Sequence, residues 1–181
     1  MEELYEDGLI RAIGVSNFNI HHLDYLLLNS RIVPAVNQVE LHPYNAQPEL
    51  ASYCREKNIQ LVSWSPLMVG KAVKIPEVLA LAKKYKKTPA QIIIRWNLHK
   101  GYVPIPKTEN PERMKSNLEV FDFELSEQDV KKIDDLNKDQ PIVNRRDRIV
   151  HLLQMLQHMK FNIRLIRLLQ KAIHDRLSSV F

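Results

Sequence analysis

The chain has 181 residues, 45% of them hydrophobic and 26% charged, with 26 Lys and Arg against 21 Asp and Glu. That is the make-up of a globular domain long enough to bury a sizeable core. The single cysteine, Cys54, excludes an intramolecular disulfide and a thiolate metal cluster, and no apolar run approaches the roughly 18–20 residues of a membrane span.

The opening Met1-Glu2-Glu3-Leu4 is acidic where a secretory leader needs a basic stretch, so a cytoplasmic setting is expected. Residues 11–15 read as a buried strand and 21–28 as a helix. Residues 35–39 form the next strand. Residues 48–57 are helical, with Pro48 in the first turn, where its missing N–H costs nothing. A third strand follows over 59–63. Residues 76–85 and 89–99 read as helices that each begin on proline, and Thr88 caps the second. A fourth strand covers 102–105 and a further helix 109–120. Ser126 with Asp129 three residues later is close to a capping box that opens another helix.

Four strands interleaved with helices predict parallel βαβ units, hence an α/β fold. A doubly wound sheet and a barrel both satisfy this pattern. A Rossmann site needs a G-x-G-x-x-G turn after its first strand, and the chain has none. A barrel gathers its chemistry at the C-terminal ends of several strands. Polar residues stand there: Ser16-Asn17, Asn37-Gln38, Ser63-Trp64-Ser65 and Lys107-Thr108. Eight βα units usually take ~250 residues, so the expectation is a partial TIM (β/α)8 barrel of about four βα units.

Several segments together carry a resemblance. They are Gly8 to Phe18 (GLIRAIGVSNF), Asn37 to Tyr44 (NQVELHPY), Trp64-Ser65-Pro66-Leu67 and Ile105-Pro106-Lys107-Thr108, followed by Arg113 and Asn117. In order and spacing the chain resembles the C-terminal half of the aldo-keto reductases over residues 1–139, with the tone of the bacterial diketogluconate-reductase-like branch. The resemblance implies NADP(H) lying extended across a barrel mouth. Ser16, Asn17 and Gln38 would hold the nicotinamide carboxamide, which needs both donors and acceptors. Trp64 would stack on the nicotinamide and fix the face that transfers hydride. Ser65 and Leu67 would line the pyrophosphate path. Lys107, Thr108 and Arg113 match a clamp for the 2′-phosphate, a dianion suited to two cations and a hydroxyl. Asn117 would contact adenine. Ser116 stands where the family often has an acidic or amide residue and carries less weight.

Taken singly, each feature has a plainer reading. Asn37-Gln38 can simply end a strand, Trp64 can fill a core, and Lys107 and Arg113 can belong to a solvated helix face. His42 reads as a packing or hydrogen-bonding residue, and Cys54 as buried and inert.

The same resemblance implies what is missing. The family's general acid is a Tyr tuned by Lys and Asp, with a His near the carbonyl, and all four belong to the first half of the barrel. Met1 would fall within the helix before the fifth strand, and none of the six tyrosines matches the catalytic position. No catalytic residue is assigned to this chain. The expected function is NADP(H)-dependent reduction of aldehydes or ketones, with this chain as a cofactor-holding half. The alternative is a non-catalytic nucleotide-binding or interaction remnant. A small carbonyl compound is the expected substrate once the barrel is complemented. Edge strands and inner strand faces without the opposite half predict self-association or instability.

The resemblance stops after Asp139. From Arg145 onward eight Lys and Arg accompany two acidic residues, a net of +6, which leaves the remainder at −1. A body so nearly neutral gives no support for a nucleic-acid partner. Residues 140–181 read as a basic amphipathic helical tail. Ile149, Leu152, Leu156, Met159, Ile163, Ile166, Gln170, Ile173 and Leu177 recur at spacings of three and four. Three readings stand: packing within or between chains, a fused or frame-shifted segment unrelated to the reductase, and, ranked last, binding to an anionic membrane.

Overall fold

The computed structural model describes residues 1–142; the heptad seam of the tail lies outside the described residues. The described chain runs α1 (Glu2–Glu6), β1 (Gly14–Ser16), α2 (Ile20–Asn29), β2 (Val36–Glu40), α3 (Pro48–Glu56) and β3 (Gln60–Trp64). Two short 3-10 turns follow, and then α4 (Pro76–Tyr85), α5 (Pro89–His99), β4 (Val103–Ile105), α6 (Pro111–Leu118) and α7 (Glu127–Asp134). Both helices predicted over 76–85 and 89–99 have these bounds. The helices α3, α4, α5 and α6 all begin with proline in the first turn. Thr88 and Gln91 complete a reciprocal capping box at the start of α5.

The four strands are parallel and lie in sequence order, β1-β2-β3-β4. A doubly wound sheet reverses its order at a switch point. This sheet has no reversal and is part of a (β/α) barrel. The first three strands each end one residue later than the sequence reading placed them, and β4 ends at Ile105 as read. β2 runs to Glu40 and β3 to Trp64, because pairing Glu40 with Trp64 extends the ladder one residue beyond the predicted ends.

Successive side chains alternate between the two faces of a strand, and residues in parallel register share a face. Ser16, Gln38, Val62 and Val103 form one row, and Glu40, Trp64 and Ile105 the next. On the other face Asn37, Val39, Leu61 and Ser63 are buried. The core continues into the helices through Leu23, Cys54, Val78, Ile92, Ile93 and Trp96, all inaccessible. One row earlier on the face of Ser16 and Gln38, a Cβ at Gly14 would lie 2.5 Å from Val36 Cγ2, on a stiff β-branched side chain. Any larger residue there overpacks the close approach of β1 to β2.

Helix α7 is fastened to α4 through Asp129, whose side chain is 1% exposed. Lys84 Nζ (2.5 Å), Tyr85 Oη (2.6 Å), Lys132 Nζ (2.7 Å) and Ser126 Oγ (3.0 Å) all donate to its carboxylate. Burial alone would raise its pKa. The bonds from Lys132, Lys84, Tyr85 and Ser126 outweigh that and hold it well below the ordinary 3.8. Among the described residues no helix is long and apolar enough to cross a membrane.

Candidate site at the strand ends

The C-terminal ends of β1, β2 and β3 bring four of the sequence-predicted residues together. Ser16 pairs with Gln38 in register, and Ser16 Oγ donates to the Gln38 carbonyl at 3.0 Å. Asn17 sits one residue beyond β1 in the left-handed region (φ 59°), and its N–H donates to that same carbonyl at 2.9 Å. Asparagine tolerates this conformation better than most residues. Trp64, at the end of β3, donates its indole N–H to Asn17 Oδ1 at 3.0 Å. Ser16 and Asn17 are exposed, while Gln38 and Trp64 are half-buried. The cluster therefore offers a hydroxyl, two amides and an aromatic ring on one accessible rim.

Ser65 follows β3, again with positive φ (51°). Its carbonyl accepts from the Met68 N–H, and the Leu67 carbonyl accepts from Gly70 and Ala72. The turn carrying Ser65 and Leu67 is thus tied by its own backbone. Lys107, Thr108, Arg113 and Asn117 lie on the connection from β4 into α6 and on α6 itself. Lys107 Nζ meets Glu109 at 2.7 Å, with both side chains more than four-fifths exposed. Such an exposed pair contributes little and exchanges readily. Thr108 Oγ1 accepts the Asn110 N–H, and Asn110 Oδ1 caps α6 by accepting the Arg113 N–H at 3.0 Å. The Arg113 side chain is exposed and forms no ion pair among the described residues. Arg113 and Asn117 stand four apart on one helical face.

Two residues were given no supporting role by the sequence reading, although one of them, Asn37, was named there beside Gln38. Asn37 is inaccessible; its Nδ2 donates to the Phe18 carbonyl at 2.8 Å and its Oδ1 accepts the Phe18 N–H at 3.3 Å. It anchors the segment that carries Asn17. Gln91 Nε2 donates to the carbonyls of Ser116 and Glu119, both at 3.0 Å, and so ties the end of α6 to the start of α5. A polar residue at a helix-facing strand position is the signal for Asn37. The capping-box position of Gln91 gave no hint of its second role.

His42 and Glu40 are both inaccessible, with His42 Nε2 3.2 Å from Glu40 Oε1. His42 is therefore a buried hydrogen-bonding residue, as its plainer reading has it. Cys54 is also inaccessible; burial pushes its thiol pKa up, partly opposed by a bond from Asn37. Such a thiol is a poor nucleophile. Among the described residues no group of three or more His, Cys, Asp and Glu is placed to hold a metal ion.

The profile of the Aldo/keto reductase family matches residues 1–138. A glyoxal reductase of Bacillus subtilis is 49% identical over 150 residues, which are 83% of this chain and 54% of that protein. The crystal structure of an aldo-keto reductase from a Medee basin deep-sea metagenome library superposes with a TM-score of 0.77 at 45% identity, covering 79% of this chain and 54% of that one. A Bombyx mori aldo-keto reductase solved in complex with NADP gives a TM-score of 0.76 at 35% identity, covering 81% and 51%. The chain spans about half the length of the curated relatives it matches.

Proposed function

The chain belongs to the aldo/keto reductase family, and from that premise we propose that it supplies the NADP(H) site for reduction of aldehydes or ketones to alcohols. The observation that carries the reading is the hydrogen-bonded group of Ser16, Asn17, Gln38 and Trp64 on one rim of a parallel sheet. The donor set fits the cofactor. A carboxamide needs complementary donors and acceptors beside an aromatic ring, and a 2′-phosphate needs accessible cations. Ser16, Asn17 and Gln38 supply the first, Trp64 the ring, and Lys107, Thr108 and Arg113 the clamp. Ser65 and Leu67 line the path between them, and Asn117 meets the adenine.

When bound, NADPH supplies the hydride. The protein's own part is to orient and to shield. Trp64 covers one face of the nicotinamide, so that the substrate carbonyl approaches the other. Lys107 exchanges its exposed pairing with Glu109 for the phosphate, and little is lost in giving up so exposed a pair. The developing alkoxide needs a proton, and we assign no residue of this chain to deliver it. A complementary half of the barrel brings the acid. That half, or a second copy, also covers the open face of the sheet. Without a positioned acid, turnover falls by ~10²–10⁴.

NADPH fluorescence titration tests the site directly. Wild-type chain is expected to prefer NADPH over NADH. Lys107→Ala and Arg113→Ala are each expected to cut that preference about tenfold, as for a lost charge-assisted hydrogen bond. An unchanged preference would count against the clamp. The competing reading is a nucleotide-binding or interaction remnant that turns nothing over. NADPH oxidation by the purified chain with a nitrobenzaldehyde would eliminate it.

A further inference from the structure

We propose that His22 is an acid-sensitive latch on the rim of the candidate site: its neutral ring holds the Asn19 N–H, and with it the connection from Asn17 into α2, and protonation releases that hold. The latch itself stands on geometry. Its effect on nucleotide affinity rests on the NADP(H) reading.

The connection that carries Asn17 is fastened at three successive residues. The Asn17 N–H donates to the Gln38 carbonyl at 2.9 Å, and Phe18 is gripped at both N–H and carbonyl by buried Asn37. The third fastening is the Asn19 N–H, which donates to His22 Nδ1 at 3.1 Å. Asn19 is the N-cap of α2 and His22 its third residue, so an imidazole fills the capping-box position where Glu or Gln usually stands. A backbone N–H only donates. Nδ1 therefore has to be the bare nitrogen, and the ring the neutral Nε2–H tautomer. Of the three fastenings, this one alone is lost by taking up a proton in mildly acidic solution.

A proton on Nδ1 would set two donors against each other and put a cation where the helix offers it no partner. The first turn of α2 has no acidic residue, and the positive end of the helix dipole lies there. The His21 ring stands beside His22 with centroids 3.9 Å apart, so a charge on each would repel. The Phe18 ring meets the imidazole edge-on at 5.7 Å and supplies no charge. The one carboxylate of α2, Asp24, accepts from Tyr53 Oη of α3 at 2.5 Å. Among the described residues, His21 is the only charged group that acts on His22. Partial desolvation first, and His21 second, hold the His22 pKa below its ordinary 6.5. The latch is thus complete above 6.5, the value of the unfolded chain, and is lost as pH falls through the lower folded value.

Three measurements on the full 181-residue chain test this. NMR titration should find His22 as the Nε2–H tautomer at neutral pH, with a pKa below 6.5. A proton on Nδ1 at neutral pH, or a pKa at or above 6.5, overturns the latch. Second, hydrogen exchange at the Asn19 amide, corrected for its intrinsic rate, should lose about fivefold protection between about pH 7.5 and about pH 5, the worth of one helix cap. His22→Gln keeps a capping side chain without a titrating ring and should abolish that loss, whereas His21→Gln should retain it. The same loss in His22→Gln, or its disappearance in His21→Gln, overturns the assignment to His22.

The third measurement reads the site. The rise in the NADP+ dissociation constant over the same pH range should be about threefold larger in wild type than in His22→Gln. Titration of the 2′-phosphate is common to both proteins and cancels. Equal rises would sever the latch from the site and overturn that part of the proposal. If neither protein binds NADP+ at any pH, the cofactor reading fails, and the first two measurements still decide the latch.

Discussion

The two faces of the sheet obey different rules, although the same four strands make both. On the helix-facing side every position of β2 and β3 is closed, and even the polar residues Asn37 and Ser63 are inaccessible. On the open side Val103 and Ile105 are 46% and 44% exposed, and Ser16 is exposed. Adjacent residues make the point. Asn37 and Gln38 are both amides, one residue apart. Asn37 satisfies its own backbone neighbourhood, whereas Gln38 lends its carbonyl to two neighbours and keeps its side chain on the rim. Polar identity alone does not mark an accessible residue; its face and its exposure do, since Glu40 shares the face of Gln38 yet is inaccessible.

The contrast is sharpest in stability. Leu61→Ala, on the closed face, should cost about 3 kcal/mol by loss of transfer energy and creation of a cavity. Val103→Ala, on the open face, should cost less than about 1 kcal/mol, because part of the side chain is already in water. Urea unfolding of the two variants measures the difference, and equal costs would break the distinction between the faces.

Asp129 extends the closed region into the outer helices, with an effect of roughly 2 kcal/mol on breaking its charge-assisted bonds in Asp129→Asn. The sign of its pH dependence follows from its lowered pKa. The carboxylate contributes in full above its unfolded value, the ordinary 3.8, and loses that contribution as pH falls through the lower folded value. Thermal melts should therefore show wild type losing stability below about pH 4. Asp129→Asn should lose less over the same range, and parallel acid profiles would contradict the assignment.

The smallest expected effect separates the two amides. Asn37→Ala should lower stability by about 1–2 kcal/mol, through unsatisfied polar groups of Phe18. Gln38→Ala should change stability by no more than about 0.5 kcal/mol and weaken nucleotide binding instead. Calorimetry and fluorescence titration on both variants read this directly. A reversal would mean that the faces had been assigned the wrong way round.

Helices were legible where proline fixed their start, over Pro76–Tyr85 and Pro89–His99, whereas the helix read over 109–120 begins only at Pro111 and ends at Leu118. Strands were legible as elements, but the first three were placed one residue early at their C-terminal ends: Ser16 and Glu40 are polar, and Trp64 stands next to the polar Ser63 and Ser65. Those same terminal residues belong to or border the candidate site, so the error and the function share a cause. The cluster of Ser16, Asn17, Gln38 and Trp64 was named from ordered motifs. Its internal wiring was not legible: Trp64 and Asn17 are 47 residues apart, and Asn37 and Phe18 are 19 apart. No local pattern encodes which amide end an indole will face.

Gln91 has a consequence for how this surface can change over time. By holding the carbonyls of Ser116 and Glu119, one buried side chain closes a loop of chain that contains β4, the Lys107-Thr108 connection and most of α6. A clasped loop tolerates insertion well, since doubling its length costs only about 0.6 kcal/mol in closure entropy. Residues between Ile105 and Asn110 can therefore be lengthened or exchanged while both ends stay anchored. The segment proposed to meet the 2′-phosphate is thus a replaceable cassette, and a laboratory library confined to it would test that assignment without disturbing the clasp that ties α6 to α5.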